Sequence, residues 1–151
     1  MNTVTLILIA LVALVGVVIA LFVYRRIPKK LNNEKFQDDW KELQNFCRDK
    51  TTWSQAVIDA DKLLDKALRR RKFKGKRMGE RMVSAQRMIS NNDQLWFAHN
   101  LAKKVIADPA MKLKEADVKL ALIGFRQALK DLGALKPSEA ASTAPVEEVQ
   151  K

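Results

Sequence analysis

One uninterrupted apolar run near the N-terminus constrains this chain more than any other feature. From Val4 to Val23 the residues are Leu, Ile, Val, Ala and Phe, with Thr5 and Gly16 as the only exceptions. At about 1.5 Å of rise per residue, an α-helix of these 20 residues reaches roughly 30 Å, the thickness of the hydrocarbon core of a bilayer. Residues 1–24 are therefore predicted to form a transmembrane helix.

The flanks of this run favour an uncleaved anchor over a signal peptide. No basic side chain precedes the run, which is also longer than the roughly 7–15 apolar residues of a signal peptide. Four basic residues follow it, so the positive-inside rule places the chain beyond them in the cytoplasm and the N-terminus outside the inner membrane. The predicted membrane-interface set is Phe22, Tyr24, Arg25, Arg26, Lys29 and Lys30.

The remainder of the 151-residue chain predicts one helical domain between a basic linker, residues 25–33, and a disordered tail, residues 136–151. No segment alternates apolar and polar residues as a half-buried strand does. The domain, residues 34–135, instead shows apolar positions at helical spacing. The expected fold class is all-α, with a single N-terminal transmembrane helix followed by a compact bundle of about five antiparallel helices.

The helices of this bundle are predicted from apolar periodicity and from residues that cap helix ends. Thr52 followed by Gln55 fits a capping box, Asp93 is a candidate N-cap, and Gly133 is a candidate C-terminal cap. The predicted bounds are Glu34 to about Lys50, Thr52 to about Lys72, Met78 to Ile89, Asp93 to Ala107, and Lys114 to Leu132.

The formal charge of +11 is concentrated in one part of the domain. Between Lys62 and Arg87 there are eleven basic residues and two acidic ones. Cations at the C-terminus of a helix offset its dipole, but this effect does not account for so dense a cluster. We predict that the cluster binds an anionic partner through Arg69, Arg70, Arg71, Lys72, Lys74, Lys76, Arg77 and Arg81.

Several partners suit such a cluster. The short linker keeps the domain close to the bilayer, where anionic lipid head groups attract Lys and Arg. Nucleic acid is a second hypothesis, with Phe73 stacking on one base, and an acidic protein is a third. The remaining alternative is a solvated face that serves solubility and has no specific partner.

Residues typical of catalysis or of metal binding are scarce. The chain has one cysteine, Cys47, and one histidine, His99, which excludes a disulfide within the chain and makes a metal site improbable. It has no phosphate-binding glycine loop and no credible Ser, His and acid trio. We predict that Cys47 packs in the core, that His99 is hydrogen-bonded within the bundle, and that no cofactor is needed.

Residues 95–107, Leu-Trp-Phe-Ala-His-Asn-Leu-Ala-Lys-Lys-Val-Ile-Ala, resemble the signature Trp-x-Ala-His-x-Leu-Arg-Asn-x-Ile-Ala-His. That signature occurs in bacterial single-span proteins whose cytoplasmic helical domain is similar to the HEPN superfamily. Further similar pieces at 60–68, 75–81 and 125–134 extend the resemblance over about residues 53–135. The resemblance implies a helical bundle, and since HEPN-like bundles often pair, it leaves a homodimer open.

The resemblance also implies a bundle without the activity of HEPN ribonucleases, which cleave RNA with an Arg-x4-His pair. The Arg slot holds Ala102, the polar slot Lys103 and the His slot Ala107. Alanine neither donates nor accepts a proton, so this motif offers no acid–base catalysis. The predicted function is a non-enzymatic, membrane-anchored binding or scaffold module. The alternative is a membrane-tethered nucleic-acid-binding relative of these ribonucleases that has lost the catalytic motif.

Overall fold

In the computed structural model, residues 2–26 and 30–137 are described, and all regular structure among them is helical. A 3-10 turn at Lys50–Thr52 separates the second helix from the third. Most of the predicted tail lies outside the described residues, as do Ile27, Pro28 and Lys29 of the predicted linker. The α-helices are α1 Thr3–Arg26, α2 Asn33–Asn45, α3 Trp53–Arg70, α4 Met78–Ala85, α5 Asn92–Ala107 and α6 Glu115–Asp131.

The apolar N-terminal run forms one continuous helix, α1, that is long and apolar enough to cross a membrane over Thr3–Tyr24. None of that segment is buried, and no contact between described helices involves α1. A signal sequence near an N-terminus can also form an apolar helix long enough to meet this criterion. The length and composition of α1 are thus compatible both with a membrane anchor and with a signal sequence.

The core of the bundle is organised around α3, which packs against α2, α4, α5 and α6. Its outer face is polar, and its inner face carries small and branched apolar residues at helical spacing. The second close pair of helices is α5 and α6. Seven apolar residues at helical spacing along α3 are buried: Ala56, Val57, Ala60, Leu63, Leu64, Ala67 and Leu68.

Thr52 is the N-cap residue of α3, as predicted, but the predicted capping box is wrong. The Thr52 hydroxyl lies 2.6 Å from the carbonyl oxygen of Phe46 and 2.9 Å from that of Asp49, and makes no cap hydrogen bond to α3. The Gln55 amide donates to Asp59 instead, at 2.7 Å. The indole N–H of Trp53 donates to the carbonyl of Cys47 at 3.0 Å. The bonds of Thr52 and Trp53 fix the connection between α2 and α3. Helix α2 ends at Asn45, earlier than predicted.

Two other helix ends differ from the prediction, and one agrees with it. α4 ends at Ala85, short of the predicted Ile89, and the cap of α5 is Asn91, whose side chain accepts from the N–H of Gln94 at 3.0 Å. Gly133 follows α6 with φ +73°, and the N–H of Ala134 returns to the carbonyl of Leu129 at 2.8 Å. This confirms Gly133 as the C-terminal cap residue.

Phe125→Ala is expected to lower the free energy of unfolding by about 3–5 kcal/mol, because the fully buried ring leaves a cavity in the core. The matched control is Leu120→Ala on the same helix, where the residue is 44% exposed and the expected loss is about 1 kcal/mol or less. Urea unfolding of residues 30–151 measures both, since α1 makes no contact with the bundle. Equal losses would contradict the placement of Phe125.

Candidate anion-binding surface

The basic cluster is centred on the segment between α3 and α4, residues 71–77, which we call the basic loop. Lys72 turns the chain out of α3 with φ +63°, a conformation that favours glycine. The N–H of Phe73 then donates to the carbonyl of Leu68 at 3.2 Å and closes the helix end. Gly75 has φ +144°, and a Cβ there would lie 2.7 Å from the backbone nitrogen of Arg81. The loop therefore has a defined backbone shape.

Arg81 holds the basic loop in place from inside the domain. Its guanidinium donates through Nη1 to the carbonyls of Gly75 and Lys76, at 2.9 and 3.0 Å. Through Nε it donates to Oδ1 of Asp65 at 2.8 Å, while Oδ2 of Asp65 pairs with Nε of Arg69 at 2.7 Å. Arg81 is only 5% exposed. Arg81 therefore does not lie on the exposed surface that was predicted to bind an anionic partner. It is buried, and Asp65 neutralises its charge.

Two further bonds and one aromatic residue restrain the basic loop. The N–H of Lys76 donates to Glu80 at 2.7 Å, and the N–H of Lys74 donates to the Ser84 hydroxyl at 3.3 Å. Phe73 is half-buried and packs against the core, which disfavours its predicted stacking on a nucleic-acid base. The loop thus presents charge without an exposed aromatic ring.

The remaining residues of the predicted set fall into two groups. Arg69 is exposed but already paired with Asp65. The other six form no ion pair with any carboxylate in the described part of the chain, and five of them are exposed, whereas Arg71 is half-buried. A group of unneutralised cations attracts anions over several ångströms. These six are Arg70, Arg71, Lys72, Lys74, Lys76 and Arg77.

The position of this group relative to α1 follows from a shared pocket. Arg71 lines it together with Lys30, Asn33 and Asp131, above an apolar floor that includes Leu132. Lys30 is four residues beyond Arg26, the last residue of α1, so an extended chain at about 3.6 Å per residue separates their Cα atoms by at most about 14 Å. The basic loop therefore begins at the end of the bundle nearest α1.

The predicted membrane-interface set is only partly described. Phe22 and Tyr24 are exposed near the end of α1, and Lys30 is exposed at the start of the bundle. Arg25 and Arg26 belong to the last turn of α1, and Lys29 lies outside the described residues.

The histidine and cysteine are engaged within the bundle. Nδ1 of His99 lies 2.8 Å from Oδ1 of Asp61, and the imidazole meets Trp96 edge-on, so the predicted hydrogen bond of His99 is confirmed. Cys47 is half-buried against the core, and burial raises the pKa of its thiol. Within residues 2–26 and 30–137, no three His, Cys, Asp or Glu side chains are grouped as metal ligands.

The positions that correspond to the ribonuclease motif lie in different environments. Ala102 is fully buried, whereas Lys103 and Ala107 are exposed. The α5 segment that carries the resemblance therefore contributes packing and the contact between His99 and Asp61.

Lys72→Gly is expected to raise the free energy of unfolding by about 1 kcal/mol, because glycine adopts the positive φ of this position without steric cost. Lys74→Gly removes the same charge where φ is not positive and should give no gain. Thermal unfolding followed by circular dichroism compares the two variants. A lower melting temperature for Lys72→Gly would contradict the geometry of this helix end.

Arg81→Met is expected to lower the free energy of unfolding by about 3 kcal/mol, because it removes the buried partner of Asp65 and the donor to two loop carbonyls. Amide hydrogen exchange in the basic loop should accelerate. Arg87→Met, at an exposed position without an ion pair among the described residues, serves as the control and should change stability by about 0.5 kcal/mol or less. Unchanged loop exchange in Arg81→Met would refute the restraint.

No protein-family model, curated protein or solved structure matches this chain. The resemblance of residues 95–107 to the HEPN signature therefore stays a prediction. The arguments for function come from the chain's own geometry and charge.

Proposed function

We propose that this chain is a non-enzymatic, membrane-anchored binding module. In this proposal α1 spans the inner membrane with the N-terminus outside, and α2–α6 form an antiparallel cytoplasmic bundle that rests on the inner leaflet. The basic loop contacts anionic lipid head groups. The observation that carries the proposal is the pocket shared by Lys30 and Arg71, which ties the unpaired cations to the end of the bundle nearest α1.

Electrostatics supports lipid as the partner. A Lys or Arg near an anionic leaflet contributes about 1 kcal/mol, and the effect decays over a Debye length of roughly 8–10 Å. The Cα atoms of Arg26 and Lys30 are at most about 14 Å apart, so the linker keeps the start of the bundle within about two decay lengths of the end of α1. The basic loop begins at Arg71 in the pocket that Lys30 lines, and in this proposal its exposed cations meet the leaflet without any change in fold.

The alternative, a nucleic-acid-binding protein that has lost the HEPN catalytic motif, has less support. Lys and Arg attract the phosphates of nucleic acid and of lipid alike, but surfaces that bind single-stranded nucleic acid typically add exposed aromatic rings on which bases stack. Phe73, the one aromatic residue of the basic loop, is packed against the core. The packing of Phe73 therefore favours lipid head groups over nucleic acid as the partner of the basic loop.

Residues 30–151 should co-sediment with vesicles that contain equimolar phosphatidylglycerol and phosphatidylcholine, and not with vesicles of phosphatidylcholine alone. Raising the salt concentration should weaken this binding, because exposed charges are screened. A fourfold variant of the basic loop, Lys72→Gln, Lys74→Gln, Lys76→Gln and Arg77→Gln, should lose most of it.

The control for that variant removes four charges at the opposite end of the bundle: Lys103→Gln, Lys104→Gln, Lys112→Gln and Lys114→Gln. These lysines are exposed in the described structure and make no ion pair with its carboxylates. The control should keep most of the binding. Equal binding to both kinds of vesicle, or equal losses in the two variants, would overturn the proposal. Displacement of vesicles by single-stranded RNA at low salt would instead favour the alternative.

A further inference from the structure

We propose that Lys30 and Arg71, in a pocket that Asn33 also lines, bind one phosphate group, supplied by the head group of an anionic phospholipid. This inference rests on the proposed function, because it adds a discrete site to a surface that otherwise attracts a leaflet by charge alone. The pocket lies where the chain enters the bundle, and it gathers polar groups from separate segments of the sequence.

The construction of the pocket suits a small anion. Lys30 precedes α2, Asn33 is the first residue of α2, and Arg71 is the C-cap of α3. Leu31 and Leu132, which are 6% and 1% exposed, close the pocket towards the core. The polar and charged groups of the lining suit a head group better than an acyl chain.

Arg71 is the central group of this site. Its backbone is fixed, because its N–H donates to the carbonyl of Ala67 at 3.0 Å. The side chain is half-buried and makes no ion pair with a described carboxylate. A planar guanidinium binds two phosphate oxygens at once, and partial burial strengthens that attraction relative to open water. Lys30 adds a second cation. The Asn33 amide donates to the carbonyls of Leu31 and Gly133, at 3.0 and 3.1 Å, and so forms part of the wall of the pocket.

Asp131 also lines the pocket and opposes an anion there. Both of its carboxylate oxygens are already used: Oδ2 accepts from the N–H and the hydroxyl of Ser90, at 2.8 and 2.7 Å, and Oδ1 accepts from Gln127 at 2.8 Å. Asp131 therefore joins the Ser90 turn to α6. Two cations and one anion leave the lining with a charge of +1.

The ends of α3 and α6 supply a competing explanation for the cations. The negative ends of both helix dipoles lie at this pocket, and a cation offsets them. A role limited to that effect would make Arg71→Gln less stable without changing its affinity for phosphate. Affinity and stability must therefore be measured on the same variants.

The test uses the full-length chain in neutral detergent, titrated by calorimetry with dihexanoyl phosphatidylglycerol, with inorganic phosphate and with dihexanoylglycerol, which lacks phosphate. We expect the lipid to bind, dihexanoylglycerol not to bind, and phosphate to bind more weakly than the lipid. Arg71→Gln should weaken lipid binding about tenfold or more, because a hydrogen-bonded charge pair is lost. Arg71→Lys, which keeps the charge without the planar fork, should lie between.

Two further variants complete the test. Asp131→Asn should tighten lipid binding, because it removes the opposing charge and keeps an acceptor for Ser90. Lys112→Gln, at an exposed position outside the basic loop and the pocket, should leave the affinity for the short-chain lipid within about twofold of the unmodified chain, since an exposed charge away from the pocket contributes little to a discrete site.

The outcomes separate this pocket from the broader proposal. Unchanged lipid affinity in Arg71→Gln, with vesicle binding still lost in the basic-loop variant, would overturn the pocket alone. Lipid binding that depends on Arg71, without any preference of residues 30–151 for acidic vesicles, would overturn the proposed function alone. Inorganic phosphate that binds as tightly as the lipid would overturn the assignment to a head group.

Discussion

The contact of α3 with α2, α4, α5 and α6 is the constraint on which the bundle depends. Small residues such as Ala56, Ala60 and Ala67 are fully buried on its inner face and allow the neighbouring helices to approach closely. The same helix carries two aspartates near its edge, Asp61 and Asp65. They bind His99 of α5 and Arg81 of α4, so α3 sets both the apolar core and its polar links.

The link between Asp65 and Arg81 connects this packing to the proposed function. A buried guanidinium is tolerated because the carboxylate of Asp65 and the carbonyls of Gly75 and Lys76 satisfy it. The same bonds hold the basic loop in one shape. A loop that is already ordered loses less conformational entropy when it meets a charged surface. Arg81 thus contributes to the cationic surface indirectly, because it holds in place the loop that carries the exposed cations.

Much of the fold could be predicted from local sequence, whereas the site could be predicted only in part. Apolar periodicity located the helices because each buried face repeats with the helical period. The capping box at Thr52 was predicted wrongly because the Thr52 hydroxyl donates to carbonyls of the preceding turn. The position of that turn depends on the tertiary structure. Arg81 was misassigned because a count of charges carries no information on burial. Its position between Met78, Met82 and Ala85 on one helical stripe was the available signal.

By itself, the sequence determined the spanning length of α1, the all-helical class and the position of the basic cluster, since each depends on composition or on spacing within one segment. The tertiary structure alone decided which cations are neutralised and which are left unpaired. It joined Asp65 to Arg81 across 16 positions, and it placed Lys30 beside Arg71 in one pocket. Such pairs depend on how helices pack against one another, and no periodicity within a single helix encodes that arrangement.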